Sequence, residues 1–199
     1  MEEYLKSRYG IQLDQKSPIK IRGFRRSLHL MRLFRNLNFK KGAEIGVASG
    51  RNLSCICRRV PGVEMIGVDI WSKYEVDRSG HSCRHVMTHE KNYEWAKERL
   101  APFAVILIKG TSMDVVKTIP ENSLDFVYID ANHYEKYVRE DLTEWSKRVR
   151  TGGIVSGHDY FESPNCDVIK TVNEYVEQNQ IEQWFLTDES PASYFWMKK

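Results

Sequence analysis

No run of apolar residues in this 199-residue sequence approaches the roughly 20 needed to cross a bilayer. The opening Met1-Glu2-Glu3-Tyr4 lacks the charged-then-apolar order of a secretory signal, so a soluble cytoplasmic protein without membrane association is expected. Cysteine is scarce: there are four. Cys55 and Cys57 fall within an expected helix, where a two-residue step faces different sides. Cys83 and Cys166 add no zinc-finger spacing, and free thiols suit a reducing compartment. The Gly-x-Gly-x-x-Gly spacing of dinucleotide-binding folds is absent. Acid is missing from Lys16 to Lys41, where Lys and Arg are frequent although the net charge is only +3. Such a run can meet phosphates, an acidic substrate or a partner; more often it is a solvated helix face. There is no internal repeat and no low-complexity segment.

The remaining pattern is one of alternating strands and helices. Residues 1–40 read as a helical or irregular lead-in interrupted by Pro18, with Phe24, Leu28, Met31 and Phe34 at helical spacing. This segment is expected to cap the sheet or cover a ligand, ahead of a single domain over 41–199. Strands are predicted at 43–47, 64–69, 104–108, 124–130, 154–156, 184–187 and 193–197. Helices are predicted near 52–59, 90–100, just after 112, 134–149 and from about 166. The strand at 104–108 is wholly apolar, which predicts burial on both faces. The last two strands lie too close in sequence for a helical crossover and must form a hairpin. The predicted fold class is α/β: a Rossmann-like, seven-stranded, mostly parallel sheet with an antiparallel C-terminal hairpin and helices on both faces.

In such sheets ligands bind beyond the carboxyl ends of the strands, at the switch in strand order. Those positions hold Glu44 with Gly46 and Gly50, then Asp69, Gly110-Thr111-Ser112, Asp130, and His158-Asp159. A polar or acidic residue at every strand end is hard to ascribe to core packing. The glycines let bare backbone N–H groups approach a ligand. Glu44 would repel a pyrophosphate, so its carboxylate suits a cationic or amine-bearing ligand instead. Asp69 is placed to accept both hydroxyls of a ribose, with a surface-turn Asp as the competing explanation. Trp71 can stack on a purine or merely pack its loop. Thr111, Ser112 and Met113 can meet an adenine edge, with helix capping by Asp114 as the plainer alternative.

Glu44-Ile45-Gly46-Val47-Ala48-Ser49-Gly50, Ile66-Gly67-Val68-Asp69 and the stretch Leu124 to His133 resemble class I S-adenosylmethionine-dependent methyltransferases. The run from Val149 through Gly157-His158-Asp159-Tyr160 continues the likeness. It is most similar to the branch of catechol-type and macrolide-sugar O-methyltransferases, and it covers the chain from about Lys41 onward. The resemblance implies that S-adenosyl-L-methionine is the cofactor. Glu44, Gly46, Val47, Ala48, Gly50 and Asn52 would serve its methionine end. Asp69, Ile70 and Trp71 would serve the ribose side, and Thr111, Ser112 and Met113 the adenine, with Asp130 completing the set. In metal-using relatives an acid after the fourth strand and a pair after the fifth bind a divalent cation, which here implies Asp130, His158 and Asp159. His158 departs from the acid of catechol-type enzymes. Mg²⁺ prefers oxygen ligands, whereas imidazole suits Zn, Fe or Ni, so His158 is alternatively a general base.

Transfer of an activated methyl needs an in-line oxygen nucleophile that has lost its proton. His133, His158 and Asp159 are the catalytic candidates, with helix-start bonding as the alternative for His133 and loop capping for Asp159. The expected reaction is O-methylation of a small hydroxylated acceptor, a sugar or a natural-product phenol. Asp130-Ala131-Asn132-His133 replaces the Asn/Asp-Pro-Pro-aromatic turn of base N-methylating enzymes, which disfavours nucleobases. The basic lead-in leaves RNA ribose methylation as an alternative, and a catalytically silent cofactor-binding or assembly module as another. Partners are thus a small-molecule acceptor, possible nucleic acid, no membrane, and a homo-oligomer as an open option.

Overall fold

The computed structural model describes residues 1–72 and 89–199. Cys83, with the rest of residues 73–88, lies outside the described residues. No helix among those described is long and apolar enough to cross a membrane.

The helices are α1 (Glu2–Tyr9), α2 (Met31–Asn36), α3 (Arg51–Arg59), α4 (His89–Leu100), α5 (Ser112–Val115), α6 (Glu135–Arg148) and α7 (Val168–Gln178). The strands are β1 (Ile19–Lys20), β2 (Lys41–Ile45), β3 (Glu64–Asp69), β4 (Val105–Lys109), β5 (Leu124–Ile129), β6 (Val149–Tyr160), β7 (Phe185–Leu186) and β8 (Ala192–Met197). They form one sheet in the order β1-β7-β8-β6-β5-β2-β3-β4. From β6 to β4 neighbouring strands run parallel. The last strand, β8, inserts antiparallel between β6 and β7, as the short β7–β8 connection requires.

The eighth strand comes from the lead-in. Ile19 donates to the Trp184 carbonyl and Ile21 to the Leu186 carbonyl, each at 3.0 Å, so residues 19–21 cover an otherwise open edge of the hairpin. The helical spacing read at Phe24–Phe34 materialises as a π-helical turn, Arg26–Leu30, running into α2. Phe24, Met31 and Phe34 are buried there, and Leu28 is exposed.

Alternate residues of each central strand face opposite helical layers. Phe126 and Tyr128 of β5 join a cluster with Leu5 of α1, Phe34 of α2, Leu53 and Ile56 of α3 and Ala96 of α4. Val127 and Ile129 join a second cluster with Val138, Leu142 and Trp145 of α6 and Val172 of α7. The lead-in therefore shares the core of one face: Phe24 stacks on Phe195 at 5.4 Å and Phe34 on Phe126 at 4.2 Å.

The expectation that the apolar strand at 104–108 is buried on both faces is corrected. It is β4, the outer edge of the sheet, with β3 as its sole strand neighbour among the described residues. Val105 and Leu107 pack against the first cluster, but Ile106 is 65% exposed. Apolar composition cannot distinguish a central strand from an edge whose second face is left open.

Candidate active site

The chain leaves β2 toward β3 and β4 and then returns to place β5 on the other side of β2, so the switch in strand order lies between β2 and β5. Their carboxyl ends touch. The Asp130 amide donates to the Ile45 carbonyl at 2.7 Å. A Cβ on Gly46, which has φ +89°, would sit 1.9 Å from the Asp130 carbonyl oxygen. Glycine is required there by space and by conformation. Gly50, at φ +74°, starts α3 where it packs against Ala96 and Leu100 of α4.

Asp69 ends β3 and braces the glycine turn. Its Oδ2 accepts from the Ala48 amide and its Oδ1 from the Trp71 amide, both at 2.8 Å. Trp71 returns the contact through Nε1–H to the Ala48 carbonyl at 2.8 Å. The indole is buried and lies 4.6 Å from the Tyr93 ring, so it fills the wall of the loop and is tied up in packing. After β4, Thr111 caps α5: its Oγ1 accepts from the Asp114 amide at 3.2 Å and donates to the Asp114 carboxylate at 2.7 Å. The capping expected of Asp114 is therefore made chiefly by Thr111.

These turns surround a cavity of about 480 Å³. Gly46 and Ala48 line it with Asp69, Ile70 and Trp71; Thr111, Ser112 and Met113 line another side, and Asp130 to Asn132 a third. Among the cofactor candidates, Glu44, Val47, Gly50 and Asn52 stand behind this wall rather than in it. Val47 is core. Glu44 points to the α3 face and is 1% exposed. Its Oε1 accepts from Asn52 Nδ2 at 2.9 Å, while Oε2 is buried without a hydrogen-bond partner among the described residues. Burial pushes the Glu44 carboxyl up to about 8, the Asn52 bond opposing, and Asp130 adding to the rise.

Beside the cavity, the ends of β5 and β6 bring Asp130, His133, His158 and Asp159 together. His133 Nε2 is 2.8 Å from Asp159 Oδ2, and His158 Nδ1 is 3.0 Å from Asp159 Oδ1 and 3.8 Å from Asp130 Oδ1. Burial works against charge on Asp159, but the hydrogen bonds and charges of the two imidazoles hold its carboxyl well below the usual range. The same bond raises His133 above the ordinary histidine value against the opposing effect of burial. Asp130 is raised, mainly by burial, with His158, Arg26 and His133 opposing. Asp159 has φ +56°, while Ala48 and Trp71 have +47° and +39°. Positive φ at non-glycine residues stores about 1–3 kcal/mol each and clusters where a surrounding site enforces it.

The metal set read from the sequence, Asp130, His158 and Asp159, differs from the one the geometry assembles. One ligand atom each from Asp130, His133 and Asp159 lie within 4.8 Å of one another. His133 is thus drawn into the acid pair by the start of α6, where Asn132 Oδ1 accepts from the Tyr134 amide at 2.9 Å.

Two further residues belong here. Arg26 Nη1 reaches Asp130 Oδ2 at 3.6 Å and donates to the Tyr128 hydroxyl at 3.2 Å. It lies in the acid-free lead-in, but nothing in its spacing singles it out from the neighbouring Arg25. Asp141 of α6 is 3% exposed and lines the cavity. It sits among apolar positions on the buried face of α6, an incongruity visible in the helical period alone.

A family model described as a methyltransferase domain matches residues 43–160, more than half of the chain. Among solved structures, the O-methyltransferase NovP is 20% identical with a TM-score of 0.64, covering 87% of this chain and 80% of that one. An O-methyltransferase of Bacillus cereus in complex with SAH is 17% identical with a TM-score of 0.60, covering 100% and 90%. The O-methyltransferase TomG of Streptomyces achromogenes, involved in tomaymycin synthesis and in complex with SAM, is 16% identical with a TM-score of 0.59, covering 98% and 87%. In sequence, an uncharacterized protein y4gI of Sinorhizobium fredii is 24% identical over 135 residues, which span 65% of this chain but 14% of that protein. Matched across the strand ends that build the cavity and the adjoining cluster, the chain belongs to the methyltransferase-domain family and has the class I S-adenosylmethionine-dependent methyltransferase fold.

Proposed function

We propose that this protein is an S-adenosylmethionine-dependent O-methyltransferase acting on a small hydroxylated acceptor, such as a sugar or a phenol. The observation that carries it is the adjacency of two sites at one sheet switch. A 480 Å³ cavity bounded by Gly46, Asp69 and the Thr111–Met113 turn meets, at Asp130, the half-buried His/Asp cluster. The residues fit the cofactor. Gly46 has no room for a side chain where backbone would approach a ligand, and Glu44 Oε2, behind the cavity wall, is a buried acceptor without a donor among the described residues, which an ammonium group would satisfy only if the Gly46 turn gave way to admit it. When bound, S-adenosylmethionine supplies an activated sulfonium methyl group.

The chain's own residues then bind, orient and deprotonate. Asp69 and the glycine turn fix the ribose and methionine ends, and the backbone at Ser112 and Met113 meets the adenine. Asp159 anchors His158 through Nδ1, which orients the ring and leaves Nε2 as the base for the acceptor hydroxyl. Asp130, His133 and Asp159 offer the donors for a divalent cation, which would supply Lewis-acid polarisation of the acceptor oxygen.

Calorimetric titration with S-adenosylhomocysteine tests the cofactor reading: saturable binding is expected, weakened about tenfold or more in Asp69→Ala as two charge-assisted hydrogen bonds to the turn are lost. Absence of binding to the wild-type chain overturns it. Methyl transfer to a panel of hydroxylated acceptors, with and without chelator, tests the reaction and the cation separately.

A further inference from the structure

Charge is sorted along this chain far more sharply than its net of +3 implies. Residues 15–63 hold twelve of the 30 Lys and Arg but one of the 27 Asp and Glu, leaving 18 against 26 in the other 150 residues. The single acid is Glu44, which is buried. The fold turns this stretch of sequence into one face. The π-helical turn Arg26–Leu30 and α2 both pack against α3, and the Cys55 thiol donates to the Ser27 carbonyl at 3.4 Å where they meet.

Each helix carries a basic stripe there. Arg51, Cys55, Arg58 and Arg59 recur at the helical period along α3, and the three arginines are exposed. Leu28, Arg32 and Arg35 follow the same period from the π-turn into α2, with Leu28 and Arg35 exposed and Arg32 half-buried. Arg32, Arg25 and Arg8 converge on His29, which is lowered chiefly by burial and then by these three charges, Glu189 opposing. Lys20, Arg26 and Lys41 of this stretch reach a carboxylate within 4.0 Å; among the described residues Arg25, Arg32, Arg35, Arg51, Arg58 and Arg59 do not. Gathered like charges repel one another, and a polyanion relieves that repulsion.

The chemistry of the face selects among polyanions. All six of these cations are arginine, whose planar fork pairs two N–H groups with phosphate oxygens. Met31, Leu33 and Phe34 of α2 are buried, so no apolar stripe remains to enter a bilayer as an interfacial helix does. A protein partner needs a packed aromatic or aliphatic anchor at the centre of its interface. The exposed large apolar side chains among the described residues are Leu28, Trp95 and Ile106, and the last two belong to α4 and β4. The same lack of an aromatic leaves no platform on which the bases of a single strand could stack. A duplex held by its phosphates needs neither anchor nor platform.

We propose that the α2–α3 face is a docking surface for duplex nucleic acid, held by its phosphodiester backbone without sequence preference. The surface is independent of the proposed methyl transfer and does not make the duplex its acceptor.

Fluorescence anisotropy with a labelled DNA duplex of about 20 base pairs tests this. The two stripes present five arginines, so affinity should fall by about 10²- to 10³-fold between about 50 and 200 mM salt. Arg35→Gln/Arg58→Gln/Arg59→Gln should reduce the slope of log affinity against log salt by about 2–3. Lys117→Gln/Lys136→Gln/Lys170→Gln removes the same net charge from the layer that carries α6 and α7, and should leave the slope unchanged. If the arginine triple variant does not fold, Arg58→Gln alone decides, with an expected slope change of about 0.9. Absence of duplex binding at about 50 mM salt overturns the proposal, and so does an equal loss in the two triple variants. Binding to phosphatidylserine vesicles, polyglutamate or a single strand as tight as to the duplex also overturns it, and assigns the face to a membrane, an acidic protein or unpaired nucleic acid respectively.

Discussion

His133 Nε2 lies 2.8 Å from Asp159 Oδ2, a bond that fastens the loop after β5 to the loop after β6. The two ends carry opposite pH signatures. Asp159 is depressed, so its contribution is present above the unfolded carboxyl value near 4 and is lost as pH falls through its folded value. His133 is raised, so its contribution is full below about 6.5 and is lost as pH rises through its folded value. The pair is therefore strongest between about pH 4 and 6.5. A double-mutant cycle of His133→Ala and Asp159→Ala, followed by urea unfolding, should give a coupling of roughly 1 kcal/mol at pH 5.5, after discounting for the exposure of His133. At pH 9 the coupling should be much smaller. Equal coupling at the two pH values would mean that the contact is not an ion pair.

In the proposed reaction the second imidazole on the same carboxylate, His158, is the base. His158→Asn preserves a donor toward Asp159 and removes the free ring nitrogen. Turnover should fall by about 10²- to 10⁴-fold, the usual worth of a positioned base, while S-adenosylhomocysteine affinity stays within a factor of two or so of wild type. An unchanged turnover number would remove His158 as the base.

The elements that position the site were legible because their signals are local. The Gly46–Gly50 turn, Asp69 and His158-Asp159 all sit at abrupt ends of apolar strands, and strand ends are where an α/β sheet puts ligands. What escaped depends on tertiary placement. Ile106 is apolar whether its strand is central or at an edge. Residues 19–21 are too few to read as a strand until the β7 edge is there to pair with them. His133 is legible as a catalytic candidate, but its place in the metal-competent set with Asp130 and Asp159 depends on where the start of α6 sets it. Arg26 is one arginine among several in a basic run, and only the packing of the lead-in on the hairpin selects it. There the Arg26 amide donates to Glu189 Oε1 at 2.8 Å, and the Gly23 amide to Asp188 Oδ2 at 2.8 Å.

Arg26 is the cation that faces Asp130 from the lead-in. Arg26→Met keeps length and apolar contact while removing the guanidinium at 3.6 Å from Asp130 and the donor to Tyr128. At pH 8, far above the ordinary carboxyl value of about 4, the loss should destabilise the protein by about 1–3 kcal/mol. Near pH 5 the cost should shrink, because burial already raises Asp130 toward protonation and the variant raises it further. Urea midpoints for the wild type and the variant at the two pH values measure this. An identical loss at both would assign the effect to packing and the Tyr128 bond alone.

Glu44 gives the sharpest linkage between stability and ligand. Its folded value of about 8 lies above the unfolded carboxyl range, so between those values the folded state holds more protons than the unfolded state. Stability must therefore fall as pH rises from about 4.5 to 8. Glu44→Gln should flatten that slope, by an amount on the order of a few kcal/mol across the window. An ammonium group brought to the unpartnered Oε2 favours the ionised form and so expels the proton. At pH 7, binding of S-adenosylhomocysteine should release up to one proton, measured by titration calorimetry in buffers of different ionisation enthalpy. Glu44→Gln should bind more weakly and release correspondingly less. If wild type and variant release the same number of protons, the carboxylate is not the partner of the ammonium group, and the buried acid serves only the turn it lies beneath.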